Sequence, residues 1–189
     1  FPAVTFAQKV NTSNNNLQYF GTILPEIVPE RFKLGLVSDD YQFYASPTFN
    51  SDLTEVCWTP NFNDNFSHGG MVASKFENGS WSKPYVLRFL DSTYSHRSPF
   101  FHFIGKRFYF QAYKSNIQGF DQMEKFYCVE RTSKGWSKAF LLDTIFNKYA
   151  VHWQFSLDRQ NNLYFGGDLR GKENTGGIYY SKYDNGKYL

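Results

Sequence analysis

The sequence predicts an all-β chain of the β-propeller class, and three observations carry that expectation. Short aromatic runs separated by polar turns, such as Pro99-Phe100-Phe101, Arg107-Phe108-Tyr109-Phe110 and Phe126-Tyr127-Cys128-Val129, read as consecutive antiparallel strands. The same internal order occurs three times: Phe49, Phe101 and Phe155 are 52 and 54 residues apart, and Trp81 and Trp136 are 55 apart. A period of about 40–55 residues holding three or four strands is the signature of propeller blades. No stretch sustains an apolar period of 3.6 residues, so helix is expected to be scarce.

The elements follow in chain order. Residues 1–45 form a lead-in, polar around Asn11-Thr12-Ser13-Asn14-Asn15-Asn16 and interrupted by Pro25 and Pro29, which favour edge or extended backbone. Leu34-Gly35-Leu36-Val37-Ser38 reads as a strand that could contribute to a closing blade. Blade one spans about 46–90, from Ser46-Pro47-Thr48-Phe49 to Asn78-Gly79-Ser80-Trp81-Ser82-Lys83-Pro84. Blade two spans about 91–142, from Ser98-Pro99-Phe100-Phe101 to Gly135-Trp136-Ser137-Lys138. Blade three spans about 143–189, with Phe155 in the place of Phe101. Polar loops are expected at 61–70 and 114–122, and Asp143-Thr144-Ile145-Phe146-Asn147-Lys148 could hold one helical turn. No linker divides the chain, so one domain is expected.

These repeats resemble the WD-like propeller repeats of TolB-type proteins. Phe49-Asn50-Ser51-Asp52-Leu53-Thr54-Glu55-Val56-Cys57-Trp58 is similar to that family's strand-turn-strand. Gly167-Asp168-Leu169-Arg170-Gly171 with Gly177-Ile178-Tyr179-Tyr180-Ser181 is similar to its following segment, and Gly135-Trp136-Ser137-Lys138 to its blade ending. The resemblance covers about 20–189. It implies a bacterial exported protein, periplasmic or secreted, acting as a non-enzymatic binding or scaffold module for a protein or peptide partner. A carbohydrate-binding or carbohydrate-processing propeller with a central pocket is the alternative. The chain departs from the family at its Pro-Asp-Gly turn, which Ser51-Asp52-Leu53, Phe103-Ile104-Gly105 and Leu157-Asp158-Arg159 keep only in part. Tyr44, His96 and Ala150 stand where the family often has an acid.

Bulk properties narrow the classes. The 20 basic and 17 acidic side chains leave a formal charge of +3 with the signs interspersed, which offers no stripe for nucleic acid. No run approaches the ~18 apolar residues of a membrane helix, so no membrane insertion is expected. The mean hydropathy of −0.52 fits a globular protein. Aromatics at 21% suit broad packing between sheets. Cys57 and Cys128 read either as two buried free thiols or as a disulfide.

Candidate site residues come from the repeat. His96 and His152 fall near the starts of innermost strands, where propeller side chains face the central channel. With Tyr44, Arg97 and Trp153 they make a candidate binding set at the channel mouth. Arg97 could grip a ligand carboxylate or pair with Asp91. The four histidines, His68, His96, His102 and His152, lack ligand spacing, so no metal and no cofactor is expected. A calcium ion near Asp158 or Asp168 is the weaker alternative. No nucleophile elbow or phosphate loop occurs, so no catalytic residue is assigned. Asn11, Asn65 and Asn78 match the glycosylation pattern and read as coincidental. Tyr94, Tyr113, Tyr149 and Trp153 could stack on sugar rings or pack between blades. Three blades are fewer than a closed ring needs, so either self-association or further polypeptide is expected to cover the open edges.

Overall fold

The computed structural model describes residues 28–29, 43–60, 70–114, 124–172 and 174–189. The lead-in strands, most of both polar loops, His68, Asn11 and Asn65 lie outside these residues. For 43–46 and 150–153 the backbone alone is described.

Alternating aromatic and polar residues bounded by turns give three antiparallel sheets in succession. The first contains β1 (Phe43–Phe49), β2 (Glu55–Pro60) and β3 (Met71–Glu77), with β4 (Ser80–Trp81) and β5 (Tyr85–Leu87) both paired to β3. The second contains β6 (Tyr94–Phe101), β7 (Arg107–Lys114) and β8 (Lys125–Thr132), with β9 (Gly135–Trp136) and β10 (Phe140–Leu141) both paired to β8. The third contains β11 (Tyr149–Leu157), β12 (Leu163–Leu169) and β13 (Gly177–Ser181), followed by the hairpin β14 (Tyr183–Asp184) and β15 (Lys187–Tyr188). Each sheet is a propeller-type blade, and the described residues are all-β apart from one 3₁₀ turn at Thr144–Lys148, capped by the Asp143 carboxylate.

Strand register makes the repeat explicit. Phe76 pairs with Trp81, Arg131 with Trp136, and Tyr183 with Tyr188, so the two tryptophans are equivalent and Tyr188 is their third counterpart. The Trp-Ser-Lys motif has a local cause. Ser137 Oγ accepts from Glu130 N at 3.0 Å and donates to the Lys138 carbonyl at 2.9 Å. Ser82 Oγ does the same with Lys75 N at 3.1 Å and the Lys83 carbonyl at 3.1 Å. The hydroxyl thus supplies a rung where the outer strand breaks its ladder.

The inner turns correct one expectation. Asn50, His102 and Asp158 open equivalent turns, each accepting through its carbonyl from the residue three later: Leu53, Gly105 and Asn161. Those three acceptors' partners all have positive φ, at 58°, 71° and 67°. Phe49, Phe101 and Leu157 therefore correspond, and Phe155 lies two residues earlier, at the place of Pro47 and Pro99. Pro47 and Pro99 lie inside register shifts of β1 and β6, where a proline is tolerated at the bulge, and Phe155 closes the corresponding shift of β11. Matching on phenylalanine hid the offset.

The blades pack face to face. In β7 and β8, Phe108, Phe110, Ala112 and Val129 meet Cys57, Met71 and Ala73 of blade one. The alternate residues Tyr109, Phe126 and Cys128 meet Phe155, Leu157, Leu163 and Phe165 of blade three. The two-residue strand period thus divides one sheet's side chains between two cores, so both faces read as apolar. The trailing face of blade three is different. Tyr164, Ile178 and Tyr180 are exposed there, Ile178 by 86%, whereas the equivalents of Ile178 in the other blades, Met71 and Phe126, are at most 2% exposed. Cys57 and Cys128 are both buried free thiols, each raised in pKa chiefly by burial.

Candidate functional site

Of the channel-mouth set, the side chains of His96 and Arg97 are described, and both make contacts within the chain. His96 is buried in the core, stacked on Phe110, and its Nε2 accepts from the backbone N–H groups of Phe89 and Leu90 at 3.3 and 3.1 Å. It thereby fixes the connection into blade two. Arg97 is engaged within blade two. Its guanidinium donates to Glu124 Oε1 at 2.8 Å and to Tyr113 Oη at 2.5 Å, and lies over the Tyr113 ring at 4.4 Å. Asp91 accepts from Thr93. Burial raises the Glu124 carboxyl to about 7 although Arg97 pulls the other way. Tyr44 lies in β1, and His152 and Trp153 lie in β11; their side chains lie outside the described residues. Tyr94 packs edge-on against Tyr127, and Tyr149 packs against Phe165 and Tyr179.

The geometry brings a different set together, at the opposite end of the inner strands. The turns opened by Asn50 and His102 touch: a Cβ built on Gly105 would lie 2.9 Å from Ser51 Oγ. Leu53, Phe103 and Ile104 project from these turns, exposed by 46%, 53% and 64%. Beside Ile104 a cleft of about 350 Å³ opens between blades two and three. Its walls carry Lys106, Arg107, Glu130 and Arg131 of blade two and Asn161 from the turn of blade three, with His102 at the base.

Each of these side chains has a sequence reason for its place. Arg107 starts β7 and Glu130 ends the facing stretch of β8, so they are direct cross-strand partners, and Arg107 Nε and Nη2 both donate to Glu130 Oε1, at 3.0 and 2.9 Å. The equivalent pair in blade one, Glu55 and Lys75, has the charges exchanged and also forms an ion pair, at 3.5 Å. Glu55 additionally accepts from Arg131 Nη2 at 2.5 Å, tying blade one to blade two. The Arg131 guanidinium lies flat over the Trp136 ring, 3.8 Å from its centroid. Burial works against the charge on Arg107, but hydrogen bonds with Tyr183, Tyr109 and Glu130 more than offset it and keep that guanidinium charged. His102 is 3% exposed; its Nδ1 faces the Ile104 N–H at 3.4 Å, and burial lowers its pKa, so it is neutral at pH 7.

This cleft can bind; its chemistry is charge and shape. Among the described residues its lining holds no hydroxyl or thiol beside a base. No group of three or more His, Cys, Asp or Glu side chains spaced to hold a metal occurs among the described residues. The Asp158 carboxylate is spent on the Gln160 and Asn162 N–H groups and the Asn162 amide. The sequence did name the turn carrying Phe103, Ile104 and Gly105, but as a departure from a family pattern. The signal that could have found the cleft is the cation pair Lys106-Arg107 directly after an exposed Phe-Ile turn.

The fold and this face define a propeller-type, all-β chain with a cation-lined cleft on its inner-turn side. No family model matches the chain, and no curated protein matches it. Among solved structures it is similar to TolB from Acinetobacter baumannii, at 16% identity and a TM-score of 0.49, covering 76% of this chain and 31% of that one. It is also similar to a puromycin-hydrolysing peptidase of Mycobacterium tuberculosis, at 16% identity and a TM-score of 0.48, covering 79% of this chain and 22% of that one. The chain therefore spans under a third of the length of either structure.

Proposed function

We propose that this chain is a non-enzymatic binding module that receives a protein or peptide partner on its inner-turn face. The observation that carries the reading is the juxtaposition there of exposed Leu53, Phe103 and Ile104 with the cation-lined cleft. Apolar side chains held out on tight, hydrogen-bonded turns bury area on contact at little ordering cost, and flanking cations select an acidic partner. The favoured ligand is an extended segment with apolar residues next to Asp or Glu. A periplasmic or secreted setting is compatible with this reading and rests on the sequence resemblance. The tyrosines expected to stack on sugars are engaged inside the blades (Tyr94, Tyr149) or against Arg97 (Tyr113), so the peptide reading is preferred over carbohydrate.

Panning a random peptide library on the immobilised protein tests this. Enriched sequences are expected to combine apolar and acidic residues, and to lose at least about tenfold in affinity for an Ile104→Glu variant, roughly 1.4 kcal/mol. Enrichment of no common pattern, or equal retention by the variant, would count against the face.

A further inference from the structure

We infer that the cleft between blades two and three is a carboxylate-binding subsite, with Lys106 and the Arg131 fork as its ligands. This deepens the peptide-binding reading and rests on it. Four features of the cleft point the same way.

The first is an unspent charge: Lys106 is exposed at the rim and makes no ion pair among the described residues. The second is a fork held in position. Arg131 is clamped between the Trp136 ring and Glu55, which it meets through Nη2 alone. Its remaining N–H groups make no hydrogen bond among the described residues. A guanidinium fixed in plane with donors to spare matches the geometry of a carboxylate, and its immobilisation cost has been met in folding. The third is the neutral neighbourhood. Glu130, the one carboxylate in the lining, is held by Arg107 through Oε1, so that the two cancel locally and leave Lys106 and Arg131 as the attracting charges. Glu55 lies behind Arg131 and reduces its field without closing its fork. The fourth is a buried imidazole in the base: His102 is 3% exposed, and among the described residues its Nε2 makes no hydrogen bond of ordinary geometry, the Asp158 backbone being the group nearest to serving it and the Asp158 carboxylate a charge it feels. A neutral imidazole protonated there is a donor, and a ligand oxygen would supply what it lacks. The Asn161 side-chain amide, also without a hydrogen bond among the described residues, adds a donor from the blade-three side.

Two sources could present the group, an Asp or Glu side chain or a free peptide C-terminus. Titration of the ¹⁵N-labelled protein, followed by amide shifts, separates them with three probes. N-acetyl-glutamyl-leucinamide carries a side-chain carboxylate, N-acetyl-alanyl-leucine a terminal one, and N-acetyl-glutaminyl-leucinamide none. At least one of the two acids is expected to shift the amides of Ile104, Lys106, Arg131 and Asn161 saturably, and to bind at least about tenfold tighter than the neutral amide. Lys106→Glu is expected to abolish that difference, while Lys172→Glu, in the exposed turn after β12 at the opposite end of the strands, keeps it. Equal binding of the neutral probe, retention of the difference in Lys106→Glu, or saturation by inorganic phosphate without either acid would overturn the assignment. Absence of any shift would overturn it as well. Library peptides that still require Ile104 would then leave the docking face standing without this subsite.

Discussion

Replacing Phe126 by alanine is expected to cost about 3–5 kcal/mol, the range of a buried aromatic deletion that its surroundings cannot fill. Phe126 is 2% exposed and sits at the junction of blades two and three. Phe146, Phe155 and Phe165 meet its ring edge-on, at centroid distances of 5.3, 5.0 and 5.5 Å. These partners come from three separate elements: the 3₁₀ turn, β11 and β12. Their backbones are held by hydrogen bonds elsewhere, so they cannot all collapse into the space left behind. Against the 5–15 kcal/mol typical of a domain, such a loss is a large fraction of the total. Urea unfolding followed by tryptophan fluorescence measures it. If alanine leaves too little folded protein, Phe126→Leu gives a smaller loss of about 1–2 kcal/mol on the same axis. Ile178→Ala, on the exposed trailing face of blade three, is expected to change stability by no more than about 0.5 kcal/mol. A loss below about 1 kcal/mol for Phe126→Ala would mean that the two blades do not share a packed core.

The second large effect is a pH dependence set by Glu124. Its side chain is 9% exposed and ion-paired with Arg97, two features that act in opposite directions. Burial wins, and the folded carboxyl titrates at about 7 rather than at the ordinary 4.5. A carboxyl with a raised folded pKa favours the folded state while protonated. That contribution is complete below about pH 4.5 and is lost as pH rises through about 7. Between pH 5 and pH 8 the wild-type protein is therefore expected to lose about 1–3 kcal/mol relative to Glu124→Gln, whose amide cannot ionise. Urea midpoints for both proteins at the two pH values provide the comparison. The same slope in both would show that Arg97 holds the carboxylate charged throughout. A buried pair of this kind is weak evidence of stabilisation in itself, because desolvation consumes much of the attraction. Its place in the fold explains why it persists: it joins β6 to the start of β8 across β7.

The blade pattern was legible in the sequence because it depends on side-chain type at a short period. Aromatic runs, tight turns and the Trp-Ser-Lys ending each have a local physical cause, and the structure shows those causes at Ser82 and Ser137. The third repeat was legible to within two residues. Phe155 resembles Phe101 in type, but register places it beside the bulge, and the turn acceptors Asn50, His102 and Asp158 are what mark equivalent positions. These three share a role and not a residue type, so similarity of letters could not align them. The candidate site was far less legible. Position in the inner strand suggested that His96 and Arg97 face a channel, yet whether a side chain ends in a cavity or a core depends on neighbours distant in sequence. His96 caps the Phe89-Leu90 backbone six and seven residues away, and Arg97 meets Glu124 across two strands. The cleft is assembled from residues 102, 130–131 and 161, with Glu55 fixing Arg131 from 76 residues away. No local pattern announces such a set.

Amide hydrogen exchange in the presence of a library-selected peptide tests the central claim, that the inner-turn face is the binding surface. Slowed exchange is expected across 102–107, at 131 and across 159–162, with residues 94–97 and 111–113 unchanged. Protection confined to 94–97 and 111–113, with the turns exchanging as in the free protein, would place the partner at the opposite end and contradict the account.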